Sequence, residues 1–322
     1  MGDEHKLGQT NSMQLKDILE RSPYKEHLEQ ILRFYVPLAL QLLTLRDDPE
    51  FMQATIKAAA ASGITDVATK ADVHMQQLIK EQVTMAHPDW QFWGEEGEDN
   101  VKEYDETKSF LLLTDPIEGT NNFRAKKDDQ WGSVIALVDL KTKEPVIGIV
   151  AHPTKRLFYV GVKGSGVYTL QYDEEGNLVN VQPMGKAPEK DIFTYNASPH
   201  FEQRLVDQVD RFFGLGNVQP DAPNASELDK SRKIVHVPSD AGEESIFEDP
   251  ESGALEVIRY KGTIYFKTSN EMAAVFAILN ELGGKVTDAK GEPWHLGINT
   301  LIAARTEQDH AYLQEIYNKT TN

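Results

Sequence analysis

Apolar residues recur at helical spacing through Leu28, Ile31, Leu32, Tyr35, Ala39, Leu42 and Leu43. That period predicts a packing helix over 24–46, with Pro37 placed to kink or break it. After a small-residue stretch at 58–63 and a turn at 66–72, a second helical stripe runs through Met75, Leu78, Ile79 and Val83 and stops before Pro88. The period then shortens. Residues 90–93 and 110–113 are apolar runs that end abruptly in polar residues, as strands do when they leave a core. Residues 133–138, 146–151, 157–162 and 166–170 read as consecutive strands with short turns, which predicts an antiparallel sheet.

Around 180–188 the chain turns polar, with Gly185 and Pro188. This predicts a boundary between an N-terminal α+β domain, 1–185, and a C-terminal α/β domain, 186–322. In the second half, strands are expected at 192–195, 233–237, 263–266, 285–287 and 299–303, with helices at 199–213 and from 270. Met272, Val275, Phe276, Leu279 and Leu282 line one face of the latter helix, and Gly283-Gly284 closes it. A last helix opens at the capping pattern Thr306-x-x-Asp309. Most of 214–251 reads as loop, and there is no internal repeat.

Composition narrows the chemistry. With 322 residues, 40% of them hydrophobic, the chain can build sizeable cores. It has no cysteine, which removes disulfides, thiolate metal sites and thiol nucleophiles, so any metal is held by oxygen or imidazole. Lys plus Arg number 33 against 51 acidic residues, a formal charge of −18. Such a surface repels nucleic acid and anionic membranes, and an anionic substrate needs a local positive centre. Residues 1–14 are polar and read as neither a secretory signal nor a membrane span, so a cytoplasmic chain is expected.

The richest stretch is Thr114-Asp115-Pro116-Ile117-Glu118-Gly119-Thr120-Asn121-Asn122-Phe123, at the end of the 110–113 run. Pro116 restricts one φ and Gly119 permits a positive one, so two carboxylates, a carbonyl and a hydroxyl can converge in one turn. All are hard oxygen ligands suited to Mg²⁺ or Mn²⁺. Three further acidic positions lie at element boundaries: Asp72 and Glu271 at helix starts, and Glu95-Glu96 at a strand end. Each has a simple explanation when taken alone. Asp72 and Glu271 suit a helix's first turn, and Glu95, Glu96 and Glu118 suit exposed turns. The glycines of Gly161-Val162-Lys163-Gly164-Ser165-Gly166 fit a hairpin, because no Lys-Ser or Lys-Thr follows and no helix begins there.

Taken together and in this order, these segments resemble the inositol monophosphatase family of magnesium-dependent, lithium-sensitive phosphatases. The opening stretch resembles its Asp-Pro-Ile-Asp-Gly-Thr signature. Ala68-Thr69-Lys70-Ala71-Asp72, Gly94-Glu95-Glu96, Gly164-Ser165-Gly166 and Glu271-x-Ala273-Ala274 leading to Glu281-Leu282-Gly283-Gly284 extend the match over nearly the whole chain. The resemblance implies a layered αβαβα sandwich of the sugar phosphatase (inositol monophosphatase and fructose-1,6-bisphosphatase) type. It implies two to three Mg²⁺ ions and hydrolysis of a small polyol or sugar phosphate by metal-activated water. Glu95, Asp115 and the Ile117 carbonyl would hold the first ion. Asp115, Glu118 and Glu271 would hold the second, and Glu95 would also touch a weaker third. Thr120 and Asp72 would orient the attacking water, with Glu96 helping from behind, while Gly119, Thr120 and Glu256 would meet substrate. The family often forms dimers, and nothing in this sequence decides whether this chain does.

Two departures fall on one metal. Glu118 and Glu271 stand where the family has aspartate, and each adds a methylene to the second site. Asn270 replaces a tryptophan, and the substrate wall is represented only by Ser252-Gly253-Ala254-Leu255-Glu256. Alternative expectations are a 3′(2′),5′-bisphosphate nucleotidase-like phosphatase and a non-catalytic descendant that binds metal or phosphate.

Overall fold

A computed structural model describes residues 22–59, 65–100, 103–127, 131–184, 190–197, 234–238, 260–266 and 269–321. The first helix, α1 (Lys25–Leu45), runs through Pro37 as one element. A proline in a helix costs about 3 kcal/mol, while each buried aliphatic side chain returns roughly 1.5–3 kcal/mol. Nine buried residues along α1 outweigh the interruption.

Strands β1 (Ala54–Ala59) and β2 (Thr65–Thr69) form an antiparallel hairpin where the sequence suggests a small-residue stretch and a turn. Its apolar Ile56 points to solvent, 66% exposed, so no core-facing alternation announces the strand. Helix α2 (Lys70–Ala86) follows directly.

A seven-stranded sheet comes next, in the order β3 (Trp90–Gly94), β4 (Phe110–Glu118), β5 (Gly132–Asp139), β6 (Glu144–His152), β7 (Leu157–Val162), β8 (Gly166–Tyr172) and β9 (Leu178–Met184). β3 and β4 are parallel, and every later neighbour is antiparallel. The predicted strands thus form one meander, with Gly164 in the β7–β8 turn and Gly166 opening β8 opposite Val162. β9 lies in the stretch read from its polarity as a boundary. Among the described residues it is an edge strand paired with β8 alone, and it buries little more than Val181, so its apolar pattern is weak.

The sheet is buried on both faces. Leu112, Ile135, Leu137, Ile147 and Ile149 pack with α1 and α2 on one side. Their alternating neighbours Leu111, Leu113, Val134, Ala136 and Val138 pack on the other with helix α4 (Ser269–Glu281). A short helix, α3 (Thr120–Arg124), follows β4, and its Phe123 joins the core shared with α1 and α2. The five-stranded second sheet has the order β11 (Ile234–Pro238), β10 (Lys190–Ala197), β12 (Tyr260–Phe266), β14 (Leu301–Ala304), β13 (Lys285–Thr287), and α5 (Glu307–Thr321) packs on β12 and β14. The layers are helix, sheet, helix, sheet, helix. The predicted cap of α5 is present, with the Asp309 amide 3.1 Å from Thr306 Oγ1. The expected helix at 199–213, the 252–256 wall and the boundary residues 185–189 lie outside the described residues.

α4 sits unusually close to β6. A Cβ on Gly148 would stand 2.3 Å from the Ala274 carbonyl oxygen. Gly148→Ala is therefore expected to destabilise the fold by about 1–3 kcal/mol through displacement of α4, read as a lower Tm. An unchanged Tm would show that α4 yields freely.

Candidate active site

Two strands bring the acidic segments together. β3 and β4 are parallel with Gly94 opposite Thr114, so both leave the sheet at the same edge. Glu95-Glu96 and Asp115 consequently emerge from adjacent strands, whose backbones lie about 4.8 Å apart. The pairing of β4 with β5 slips between Asp115 and Glu118. Such a bulge accommodates Pro116, which has no amide to offer the ladder. Asp115 and Glu118 are buried, and Asp115 Oδ1 accepts the Ile117 amide at 3.1 Å. The exposed-turn reading of Glu118 does not hold, because it is the last residue of β4 and 5% exposed. Gly119 takes the left-handed conformation, φ 79° and ψ 41°, and turns the chain into α3. Phe123 anchors that turn, fully buried with its ring edge-on to Trp131 at 4.7 Å.

α2 reaches the same place from the opposite layer. Thr69 caps it, and Asp72 completes a reciprocal capping box by accepting the Thr69 amide at 2.7 Å on Oδ2. The other carboxylate oxygen, Oδ1, accepts the Thr120 hydroxyl at 3.0 Å. That hydroxyl also lies 3.0 Å from the Ile117 carbonyl, so its single hydrogen has two acceptors to choose between. The first-turn reading of Asp72 and its reach to Thr120 are both satisfied by one side chain, an oxygen for each.

Burial pushes the Asp72 carboxyl up to about 6, although its bonds from Thr69 act the other way. The folded value thus exceeds that of an ordinary carboxyl, and the unfolded chain ionises first. Stability from this group is present below about pH 4 and is lost as pH rises through about 6. In chelator, the Tm of Asp72→Asn minus that of the unaltered protein should therefore grow between pH 4 and pH 6, by the equivalent of roughly 1–3 kcal/mol. A constant difference across that window would refute the assignment.

Glu95 and Glu96 meet a cation from β1. The Lys57 ammonium lies 2.8 Å from Glu95 Oε1 and also contacts Glu96 Oε1. Burial opposes its charge, yet the two carboxylates hold Lys57 well above its ordinary range. One ammonium between two carboxylates leaves a negative excess. Burial first, then the Glu95 charge, push the Glu96 carboxyl up to about 7 against the pull of Lys57. Lys57 has no signature in the sequence, since a lysine on a strand whose neighbour Ile56 faces solvent follows no core-facing period.

By chemistry, this donor set fits a hard divalent cation. Buried Asp115 and Glu118, the Ile117 carbonyl and Glu95 are all oxygen donors, and Glu95 with Glu96 already holds the ammonium of Lys57. Among the described residues, no three acidic, histidine or cysteine side chains cluster closely enough to hold a metal. Glu271, expected from the sequence to join this set, lies in the first turn of α4, and its side chain is outside the described residues, as is Glu256. Among the described residues, no helix is long and apolar enough to cross a membrane.

Comparison with known proteins identifies the family and the fold. A profile of the inositol monophosphatase family matches residues 27–235. Inositol monophosphatase 1 of Saccharomyces cerevisiae is 25% identical over 279 residues, covering 79% of this chain and 82% of that protein. Inositol monophosphatase 1 of Solanum lycopersicum is 28% identical over 113 residues, 35% of this chain and 40% of that one. The extragenic suppressor protein SuhB from Bartonella henselae shares the fold with a TM-score of 0.66 at 17% identity, over 91% of this chain and 99% of that one. The family profile spans more than half of the sequence, and the layered sandwich is that of the solved relatives. The chain belongs to the inositol monophosphatase family.

Proposed function

We propose that this protein hydrolyses the phosphate ester of a small polyol or sugar, transferring the phosphoryl group directly to water. Family membership makes it a metal-dependent phosphatase acting on phosphate monoesters; the substrate class and the residue roles are the proposal. The observation that supports it most is the hydrogen bond from Thr120 to the buried Asp72 carboxylate, beside Asp115 and the Ile117 carbonyl.

In this reading, Glu95, Asp115 and the Ile117 carbonyl would hold one Mg²⁺, and Asp115, Glu118 and Glu271 a second. When bound, such a pair neutralises phosphate oxygens and makes water more acidic. The chain's own groups do the positioning. Asp72 accepts the Thr120 hydroxyl hydrogen, which leaves the lone pairs of that oxygen free to accept from a water and aim it at phosphorus. Glu96, with its carboxyl near 7, is matched to taking up the proton this water loses. Attack forms the new P–O bond as the ester P–O bond breaks, and the leaving alkoxide takes a proton from solvent. With a formal charge of −18, an anionic substrate is drawn in only where cations offset the acidic site, which fits a small ester and opposes a nucleic-acid polymer.

Phosphate release from a panel of polyol, sugar and nucleotide esters, in Mg²⁺ and in Mn²⁺, tests this. Turnover of inositol or sugar monophosphates is expected. Preference for 3′-phosphoadenosine 5′-phosphate would overturn the substrate class, and metal uptake without release from any ester would overturn catalysis. The two extra methylenes of Glu118 and Glu271 bear on the metal. Mg²⁺ demands near-octahedral geometry and Mn²⁺ is more forgiving, so the unaltered protein should favour Mn²⁺. Glu118→Asp with Glu271→Asp should shift the Mg²⁺/Mn²⁺ rate ratio toward Mg²⁺ by about tenfold, about 1.4 kcal/mol. An unchanged ratio would remove this explanation for the glutamates.

A further inference from the structure

Gln76 lies four residues after Asp72 on α2, on the same helical face, and is 4% exposed. It carries no charge and interrupts the apolar stripe that predicts the helix. Its amide is engaged at both ends, mainly by the backbone of one residue. Oε1 accepts the Glu96 amide at 2.7 Å, and Nε2 donates to the Glu96 carbonyl at 2.8 Å. The second Nε2 hydrogen goes to Asp99 Oδ2 at 3.2 Å, and Asp99 is in turn paired with Lys80, one turn further along α2. The side chain thus pairs with the backbone of Glu96 as a neighbouring strand would, donor to acceptor and acceptor to donor.

Only a primary amide of this length can do so. Glutamate has no donor for the carbonyl, methionine has neither group, and asparagine is one methylene short. The approach also dictates the residue opposite. A Cβ on Gly94 would stand 2.1 Å from Gln76 Cδ, so the turn that carries Glu95 and Glu96 can reach the amide only through glycine.

We infer that Gln76 is a positioning residue: it holds the Gly94–Glu96 turn in the orientation that points Glu95 at the cation site. The same helical face then serves both halves of the site. Asp72 sets Thr120, and Gln76 sets the turn that carries Glu95. This rests on the metal reading given under Proposed function. Outer-shell partners of metal ligands are worth 10–100-fold in metal affinity, and the effect here falls on metal affinity before it falls on the chemical step.

The test uses the full chain, Mn²⁺ as probe, and Gln76→Met. Mn²⁺ affinity by calorimetry is expected to fall at least tenfold. The Mn²⁺ concentration for half-maximal rate should rise by the same factor, while the rate at saturating Mn²⁺ stays within about threefold. Exchange of the Glu96 amide hydrogen should accelerate in chelator, with the global Tm retained. A folded Gln76→Met protein with unaltered Mn²⁺ affinity overturns the inference, as does a lower rate that saturating Mn²⁺ does not restore. If Gln76→Met does not fold, Gln76→Asn is read by the same measurements and the same criteria. Loss of Mn²⁺ binding in Asp115→Asn, with none in Gln76→Met, would sink the role of Gln76 and leave the metal site standing. Absence of Mn²⁺ binding by the unaltered protein would sink both.

Discussion

Asp115→Asn is expected to lower phosphate release by about a thousandfold or more, the equivalent of about 4 kcal/mol in barrier. Asp115 is the carboxylate common to both proposed cation sites, 2% exposed and oriented by the Ile117 amide on its Oδ1. Asparagine has the same shape and keeps an oxygen for that amide, so the bulge between Asp115 and Glu118 is preserved. The charge is what disappears. In so buried a position, no shift of a surface group replaces it, and both cations would lose a ligand at once. Calorimetry should show Mn²⁺ binding weakened in step with the rate, while the Tm in chelator is held or raised because a buried carboxylate has been neutralised. Phosphate release persisting at more than a tenth of the original rate would overturn the site assignment.

The next largest effect is expected at Thr120. Thr120→Val keeps the β-branched shape at the start of α3 and deletes only the hydroxyl that Asp72 accepts. The proposed role is orientation of water, so kcat should fall by about a hundredfold. KM and Mn²⁺ affinity should change by less than about threefold. Thr120→Ser restores the hydroxyl and should recover most of the rate. If Asp72 acts through Thr120, Asp72→Asn and Thr120→Val will not add, and the double variant will resemble the worse single one. Full additivity, or a change confined to KM, would contradict a shared role.

Much of the architecture was legible because it follows from period alone. The heptad-like stripe of α1, the consecutive apolar runs of β5 to β8 and the capped α5 each encode their own element in local residues. The β1–β2 hairpin and β9 were not legible for the converse reason. They bury few apolar side chains, Val67 and Ala68 in the hairpin and Val181 in β9, while Ile56 and Val179 face solvent, so burial imposes too short a pattern to read. For the site, the acidic residues stood out because they interrupt strands and open helices, where a carboxylate must either cap or ligate.

Residue types and their order therefore set the inventory: oxygen ligands without thiols, a net acidic chain, and a strand end rich in carboxylates. Tertiary structure decided who faces whom. The parallel pairing of β3 with β4 sets Glu95 and Glu96 beside Asp115, and the packing of α2 on the sheet brings Asp72 to Thr120 across 48 residues of chain. Lys57 and Gln76 acquire meaning only there. A lysine on a short hairpin and a glutamine in a helix have no one-dimensional signature, because their role is set by distances to groups 20 to 39 residues away that only the folded chain makes short.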